Sequence, residues 1–280
     1  MVLCESLSYP GAAMTRLRGA HAVITGGSSG IGLATAAALA AHGASVSLVA
    51  RDASRLRKAA VSLKSRGASV RTAAADVSSQ AEVEEAFASL VSEAGPCDVL
   101  VTSAGQARPG EFLELDDEVF RRMVEVDYFG TLHAVRTVAP SMVRRHSGSI
   151  VAISSAAALL GIYGYTAYAP AKFAVRGLME TLRDELTPAG VHVACVYPPD
   201  VDTPQLAEEN RWKPRETAAI SGTIRPMAPE TVASAIVRAV KRERFAVYPD
   251  RSVALLAALG PLAAPVLRRM VDRRIRRART

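Results

Sequence analysis

At 280 residues, 49% of them apolar and only 5% aromatic, the chain can bury a full core, and its composition suits one large Ala/Val/Leu-rich α/β domain. The formal net charge is +7, but residues 268–280 hold seven arginines and one aspartate and so carry +6 of it, which argues against a broad nucleic-acid-binding face. The scattered Cys4, Cys97 and Cys195 argue against a disulfide framework, and His21, His42, His133, His146 and His192 have no metal-ligand spacing, so no metal is expected.

Residues 1–17 read as an N-terminal extension, in which residues 1–13 lack the basic and apolar regions of a signal peptide and Met14 offers an alternative start. A first strand over 21–25 runs into a Gly-rich turn, and 31–42 has helical composition. A second strand over 45–50, a helix over 54–65, a third strand over 70–75 ending at Asp76 and a helix over 80–93 follow. Next come a strand over 98–102, one long helix over 117–145, a strand over 149–154, a helix over 169–186 and a strand over 191–197. A helix over 229–241 and a seventh strand over 245–248 close the run. Strands alternating with helices predict βαβ units and a parallel sheet, covered on both faces. We divide the chain into the extension (1–17), one catalytic domain (18–250) and an apolar, Arg-rich C-terminal segment (251–280).

Thr25-Gly26-Gly27-Ser28-Ser29-Gly30-Ile31-Gly32 follows a strand and opens a helix. Glycines at 26, 30 and 32 suit a tight turn, a backbone that approaches a pyrophosphate, and a helix packed closely on the sheet. The helix start adds unpaired N–H groups and a partial positive charge. After the second strand the chain reads Ala50-Arg51, with Arg55 one turn on. An acidic side chain there would suit the ribose hydroxyls of NAD; arginines suit a 2′-phosphate, so NADP(H) is the expected cofactor. Asp76 is either a receiver for the adenine amino group or a helix cap.

Far downstream, Tyr168 and Lys172 stand four apart on a helix and share a face. Pro170 between them is tolerable only near a helix start, which places Tyr168 at the N-terminal end. An unperturbed tyrosine has a pKa of about 10, so working near pH 7 needs a shift worth roughly 4 kcal/mol. A cation ~4 Å away supplies about 1 kcal/mol in water and ~4 at an effective dielectric of 20, so Lys172 tunes Tyr168 only in a partly buried site. Tyr168 then donates a proton to a carbonyl oxygen as hydride reaches the carbon, and Ser155 holds the same oxygen.

These residues resemble the short-chain dehydrogenase/reductase family over roughly 18–248. The likeness lies in the glycine loop, Asp76, Thr102-Ser103-Ala104-Gly105, Ser155, Tyr168, Lys172 and Pro198-Pro199-Asp200-Val201-Asp202-Thr203. The resemblance implies an α/β fold with a Rossmann-type doubly wound parallel sheet ordered 3-2-1-4-5-6-7, frequent homo-oligomers, and Ser155, Tyr168 and Lys172 as catalytic residues. The family's thirteen-residue spacing selects Ser155 over Ser154, and Lys172 is implied to bind the nicotinamide ribose. Cofactor contacts are implied for Gly26, Ser28, Ser29, Gly30, Ile31 and Gly32. Further contacts are implied for Arg51, Arg55, Asp76, Val77, Ala104 and Gly105, and for Tyr168, Lys172, Val201 and Thr203.

Residues 148–240 further resemble 3-ketodihydrosphingosine reductases through Gly164-Tyr165-Thr166-Ala167-Tyr168, the Pro-Pro-Asp segment, Glu208-Glu209-Asn210, Lys213-Pro214 and Glu216-Thr217. That likeness implies NADPH-dependent reduction of a long-chain 3-keto amino lipid. The rivals are a steroid, 3-oxoacyl or xenobiotic ketone on the same machinery, and a non-catalytic NADP-binding scaffold or sensor. The chain departs from the wider family at Pro199, which the narrower group shares, and at Asp127, where an asparagine is usual. A relay through the backbone carbonyl tolerates Asp127; one through the side-chain amide does not.

Residues 205–228, which include Trp212, are either a lid over the substrate or a solvated connector. In 253–267 an apolar run is broken by Gly260-Pro261 and Pro265. Fifteen helical residues reach ~22 Å, short of a ~30 Å hydrocarbon core. The segment reads as a peripheral membrane contact with a basic anchor, or as a helix docked on the protein or on a partner subunit. The expected location is the cytoplasm, with peripheral attachment to the cytoplasmic membrane face.

Overall fold

A computed structural model describes residues 16–221 and 225–279. Cys4, Met14 and most of the expected N-terminal extension lie outside the described residues. The seven strands form one parallel sheet: β1 (His21–Thr25), β2 (Ser45–Ala50), β3 (Val70–Ala74), β4 (Val99–Thr102), β5 (Ser149–Ile153), β6 (His192–Val196) and β7 (Ala246–Val247). Their order is β3-β2-β1-β4-β5-β6-β7, as the resemblance implies. The central strands are buried on both faces, which explains their near-continuous apolar sequences.

Alternation along each strand divides the core in two. Ala22 and Ile24 of β1 face a layer formed by α1 (Gly30–Ala41), α2 (Ala53–Lys64) and α9 (Pro229–Arg242). Val23 faces the opposite layer of α3 (Gln80–Ala94), α5 (Gly130–Arg145) and α6 (Tyr168–Leu186). The chain order reverses between β1 and β4, so a crevice opens at their carboxyl ends.

Two predicted segments take a different form. The long helix over 117–145 is α4 (Asp117–Met123), a π-helical turn (Val124–Phe129) and α5. The widened turn carries Asp127, and such bulges recur at functional sites. The segment after β6 is not an open loop, since it contains α7 (Pro204–Glu209) and α8 (Arg215–Ser221). Thr203 caps α7 by accepting from the Leu206 N–H, and Pro204 sits in the first turn, where its missing N–H costs nothing.

The C-terminal segment is α10 (Arg251–Arg279), bent by 98° between Gly260 and Leu262. The sequence Gly260-Pro261 accounts for the break, because a proline has no N–H with which to continue the helix ladder. Among the described residues no single helix is long and apolar enough to cross a membrane. The first half of α10 belongs to the body of the molecule, with Val253 buried in the core. The second half turns back, and Arg274 donates to the Ile220 carbonyl at 3.1 Å on α8.

Candidate active site

The crevice widens into a cavity of about 1010 Å³. Gly26, Ser28, Ser29, Gly30 and Ile31 form one end of its wall, and Ser155, Tyr168 and Lys172 lie further along. Arg51, Arg55, Asp76, Val77, Ala104, Gly105, Val201 and Thr203 also line it. Gly32 does not. It sits behind the loop, where a Cβ would stand 2.4 Å from the Gly26 carbonyl oxygen. Gly26 itself has φ +67°, and a Cβ there would lie 2.6 Å from the Ala104 nitrogen. The Ser29 side chain makes no capping hydrogen bond to α1, so the helix start keeps its N–H groups for a ligand. A loop stripped of side chains at these positions fits a dinucleotide pyrophosphate.

After β3, Asp76 is not a helix cap; Ser79 caps α3. One Asp76 oxygen accepts from the Ser78 N–H and hydroxyl, at 3.0 and 2.7 Å, and the other from Arg122 at 3.0 Å. Burial raises its pKa, but Ser78 and Arg122 outweigh that and hold the carboxyl below its usual range. Sequence reasoning missed Arg122, which reaches across from α4. Arg51 stands 3.9 Å from Asp76 and Arg55 stands 3.4 Å from Asp52, both largely exposed. Asp52 also lines the cavity, but its Oδ1 is committed to capping α2 through the N–H groups of Ser54 and Arg55.

The catalytic segment is assembled from three elements. Ser154 and Ser155 follow β5 with different tasks: Ser154 donates to the Lys172 carbonyl at 3.0 Å, whereas the Ser155 hydroxyl accepts from the Ala157 N–H at 3.1 Å and lowers the pKa of the Tyr168 hydroxyl. Tyr168 is the first residue of α6, as Pro170 requires. Lys172 donates to the Ile153 carbonyl at 3.2 Å, and its Nζ lies 5.6 Å from the Tyr168 ring centre. Both side chains are buried, with Tyr168 8% and Lys172 5% exposed.

Asp127 alters the electrostatics. It is fully buried, and Oδ1 lies 3.3 Å from Lys172 Nζ while accepting from the Gln106 N–H at 3.0 Å. Among the described residues its Oδ2 has no hydrogen-bond partner. Burial pushes the Asp127 carboxyl upward against the pull of Lys172. Burial also pushes the Tyr168 hydroxyl well above its ordinary value, with the Asp127 and Glu209 carboxylates adding to the rise and Ser155 opposing it. This corrects the expected tuning toward neutrality: the Lys172 charge is engaged by Asp127, and desolvation wins. Tyr168 is thereby kept protonated, as a proton donor must be.

The substrate end holds groups that sequence reasoning named only as part of a resemblance. The Tyr165 ring lies 5.7 Å from that of Tyr168, and its hydroxyl donates to Glu209. Lys213 bridges Asp200 at 3.0 Å and Glu209 at 3.4 Å. The Arg108 guanidinium stacks 3.6 Å over Trp212. Leu256 of α10 also lines the cavity, a contribution no sequence signal announced. Elsewhere Cys97 and Cys195 are buried thiols, pushed up to about 12 and about 11 by desolvation. His21 and His192 are core side chains bonded to Ser47 and Ser149.

A family model described as short chain dehydrogenase matches residues 20–214. The chain is 38% identical over 268 residues to a 3-ketodihydrosphingosine reductase of Dictyostelium discoideum, covering 89% of this chain and 80% of that protein. It is 40% identical over 256 residues to a 3-dehydrosphinganine reductase of Danio rerio, covering 90% and 77%. Among solved structures, a short-chain dehydrogenase/reductase from Burkholderia phymatum in complex with NAD superposes with a TM-score of 0.82 at 26% identity, covering 91% of this chain and 97% of that one. A variant of actinorhodin polyketide ketoreductase with NADPH gives 0.76 at 30% identity, covering 82% and 95%. The chain belongs to the short-chain dehydrogenase/reductase family. It is an oxidoreductase that uses a nicotinamide cofactor on a small-molecule carbonyl substrate.

Proposed function

We propose that the chain reduces the ketone of a long-chain 3-keto sphingoid base, 3-ketodihydrosphingosine or a near relative, to the secondary alcohol with NADPH. The observation that carries this reading is the gathering of Ser155, Tyr168 and Lys172 on the wall of the same cavity as the glycine loop. The names of the curated relatives support the substrate.

The bound nicotinamide supplies a hydride to the carbonyl carbon. Ser155 donates to the carbonyl oxygen and fixes its position. Tyr168, held protonated by its surroundings, gives that oxygen its proton. Lys172, anchored by Ile153 and Asp127, is the residue that would hold a ribose hydroxyl of the cofactor. Arg51 and Arg55 support a preference for a 2′-phosphate, since Asp52 is tied up as a cap.

The reading extends to location and assembly. We place the protein in the cytoplasm, resting peripherally on the cytoplasmic membrane face through α10. Leu255, Leu259, Leu262, Val266 and Met270 are exposed along it, and the arginines that follow suit anionic lipid. A homo-oligomer is also proposed, with the exposed Phe129 and Phe173 beside α5 and on α6 in support.

The test measures NADPH oxidation with 3-ketodihydrosphingosine in mixed micelles, beside a steroid ketone and a 3-oxoacyl thioester. Selective turnover of the sphingoid ketone that is lost in Tyr168→Phe supports the reading. Turnover of the other ketones alone discards the substrate, and NADPH binding without any turnover favours a sensor. Sedimentation with anionic liposomes at low salt, with and without residues 268–280, tests the membrane contact; equal failure to sediment removes it.

A further inference from the structure

We infer that Asp200 and Glu209, bridged by Lys213, form a subsite for the protonated amine next to the substrate carbonyl. The inference rests on the sphingoid-ketone reading and deepens it, because the amine on the carbon beside the ketone separates that substrate from a steroid or an oxoacyl thioester.

The first argument is placement. Asp200 follows β6, Glu209 ends α7 and Lys213 precedes α8, yet their charged ends meet, and Asp200 and Glu209 line the cavity while Lys213 bridges them from behind its wall. Tyr165 joins them to the catalytic centre, with its hydroxyl on Glu209 and its ring against Tyr168. The charges of Asp200 and Glu209 both act on the Tyr168 hydroxyl. A carbonyl oxygen held at Tyr168, and the carbon next to that carbonyl, therefore lie in the same field.

The second argument is charge. Two carboxylates share one ammonium, and both Glu209 and Lys213 are largely buried. Three cations around the site are engaged elsewhere: Lys172 with Asp127, Arg211 with Glu208, and Arg108 over the Trp212 ring. Burial pushes the Glu209 carboxyl upward, the sign of a desolvated acid short of positive charge. An entering ammonium supplies that charge. The Asp200 side chain, 35% exposed, is the more open of the two.

A cluster that merely latched α7 and α8 onto α6 would serve every ketone alike. The test therefore compares kcat/KM for 3-ketodihydrosphingosine with that for the same hydroxy ketone bearing hydrogen in place of the amino group. Both are presented in identical micelles to the wild type, Asp200→Asn and Glu209→Gln. The wild type should prefer the amine on the order of 100-fold, as buried polar groups left unpaired reject an analogue lacking the partner. Each variant should cut that preference by about tenfold or more.

Equal losses on both ketones, or no wild-type preference, overturn the subsite and leave the sphingoid reading standing. Turnover of steroid or thioester without the sphingoid ketone overturns both. The wild type also decides alone, should a variant fail to fold. Its preference should fall as pH rises past the substrate amine, an α-amino group with a pKa of about 8. Changes at Tyr168 and Lys172 act on both ketones and cancel in the ratio. A ratio that stays flat from about pH 6 to about pH 10 overturns the proposal.

Discussion

The two ends of the cavity are built by different means. The cofactor end is mostly backbone: a positive-φ glycine, a helix start with open N–H groups, and strand ends in a fixed order. The substrate end is mostly side chains, brought together from the segment before α6, from α7, α8 and the approach to α8, and from α10. Backbone devices tolerate little change because nothing can be trimmed. Side-chain devices can be retuned one group at a time, and this is the end at which short-chain reductases can be given different ketones.

Tyr168→Phe should break the chemistry shared by both ends. Turnover should fall on the order of 10³-fold, with NADPH binding retained in a fluorescence titration. Gly26→Val attacks the cofactor end through a strained φ and a backbone clash. It should cost about 2–4 kcal/mol in denaturant unfolding and abolish saturable NADPH binding. Arg51→Ala leaves the loop intact and should lower the NADPH-over-NADH ratio of kcat/KM by about tenfold or more. An unchanged ratio would remove Arg51 from 2′-phosphate recognition.

Asp127→Asn is the mildest and sharpens the comparison most. Asp127 raises the Tyr168 pKa, so removing its charge should lower that pKa. Alcohol oxidation needs the deprotonated tyrosine, so its pH–rate limb should move to lower pH by about one unit. Ketone reduction needs the protonated form and should begin its alkaline decline correspondingly earlier. Identical profiles in wild type and variant would show that the Asp127 charge is not felt at Tyr168.

The same contrast explains what the sequence disclosed. The strand order, the glycine loop and the start of α6 at Tyr168 were legible because each follows from a local rule about backbone, spacing or proline. The π-helical turn at Asp127 was not, because Val124–Phe129 has ordinary helical composition and one added residue in a turn leaves no mark on apolar periodicity. The meeting of Asp200, Glu209 and Lys213 was equally hidden, since charges nine and four residues apart converge only once α7 has docked. The bend in α10 was signalled by Gly260-Pro261, but its return onto α8 depends on contacts with a segment more than thirty residues earlier.

Gly164 shows what such convergence means for change. Its carbonyl accepts from the Gly110 N–H at 2.9 Å, and at φ +80° a Cβ would lie 2.5 Å from the Thr217 hydroxyl and 3.2 Å from Pro214. The neighbouring Tyr163 carbonyl accepts from that same hydroxyl at 2.8 Å. Three stretches of chain meet there without a spare atom, four residues before the proton donor. Swapping α8 from a relative without the partnering loops would therefore displace Tyr168. These pieces form a single heritable module, to be recombined together or not at all.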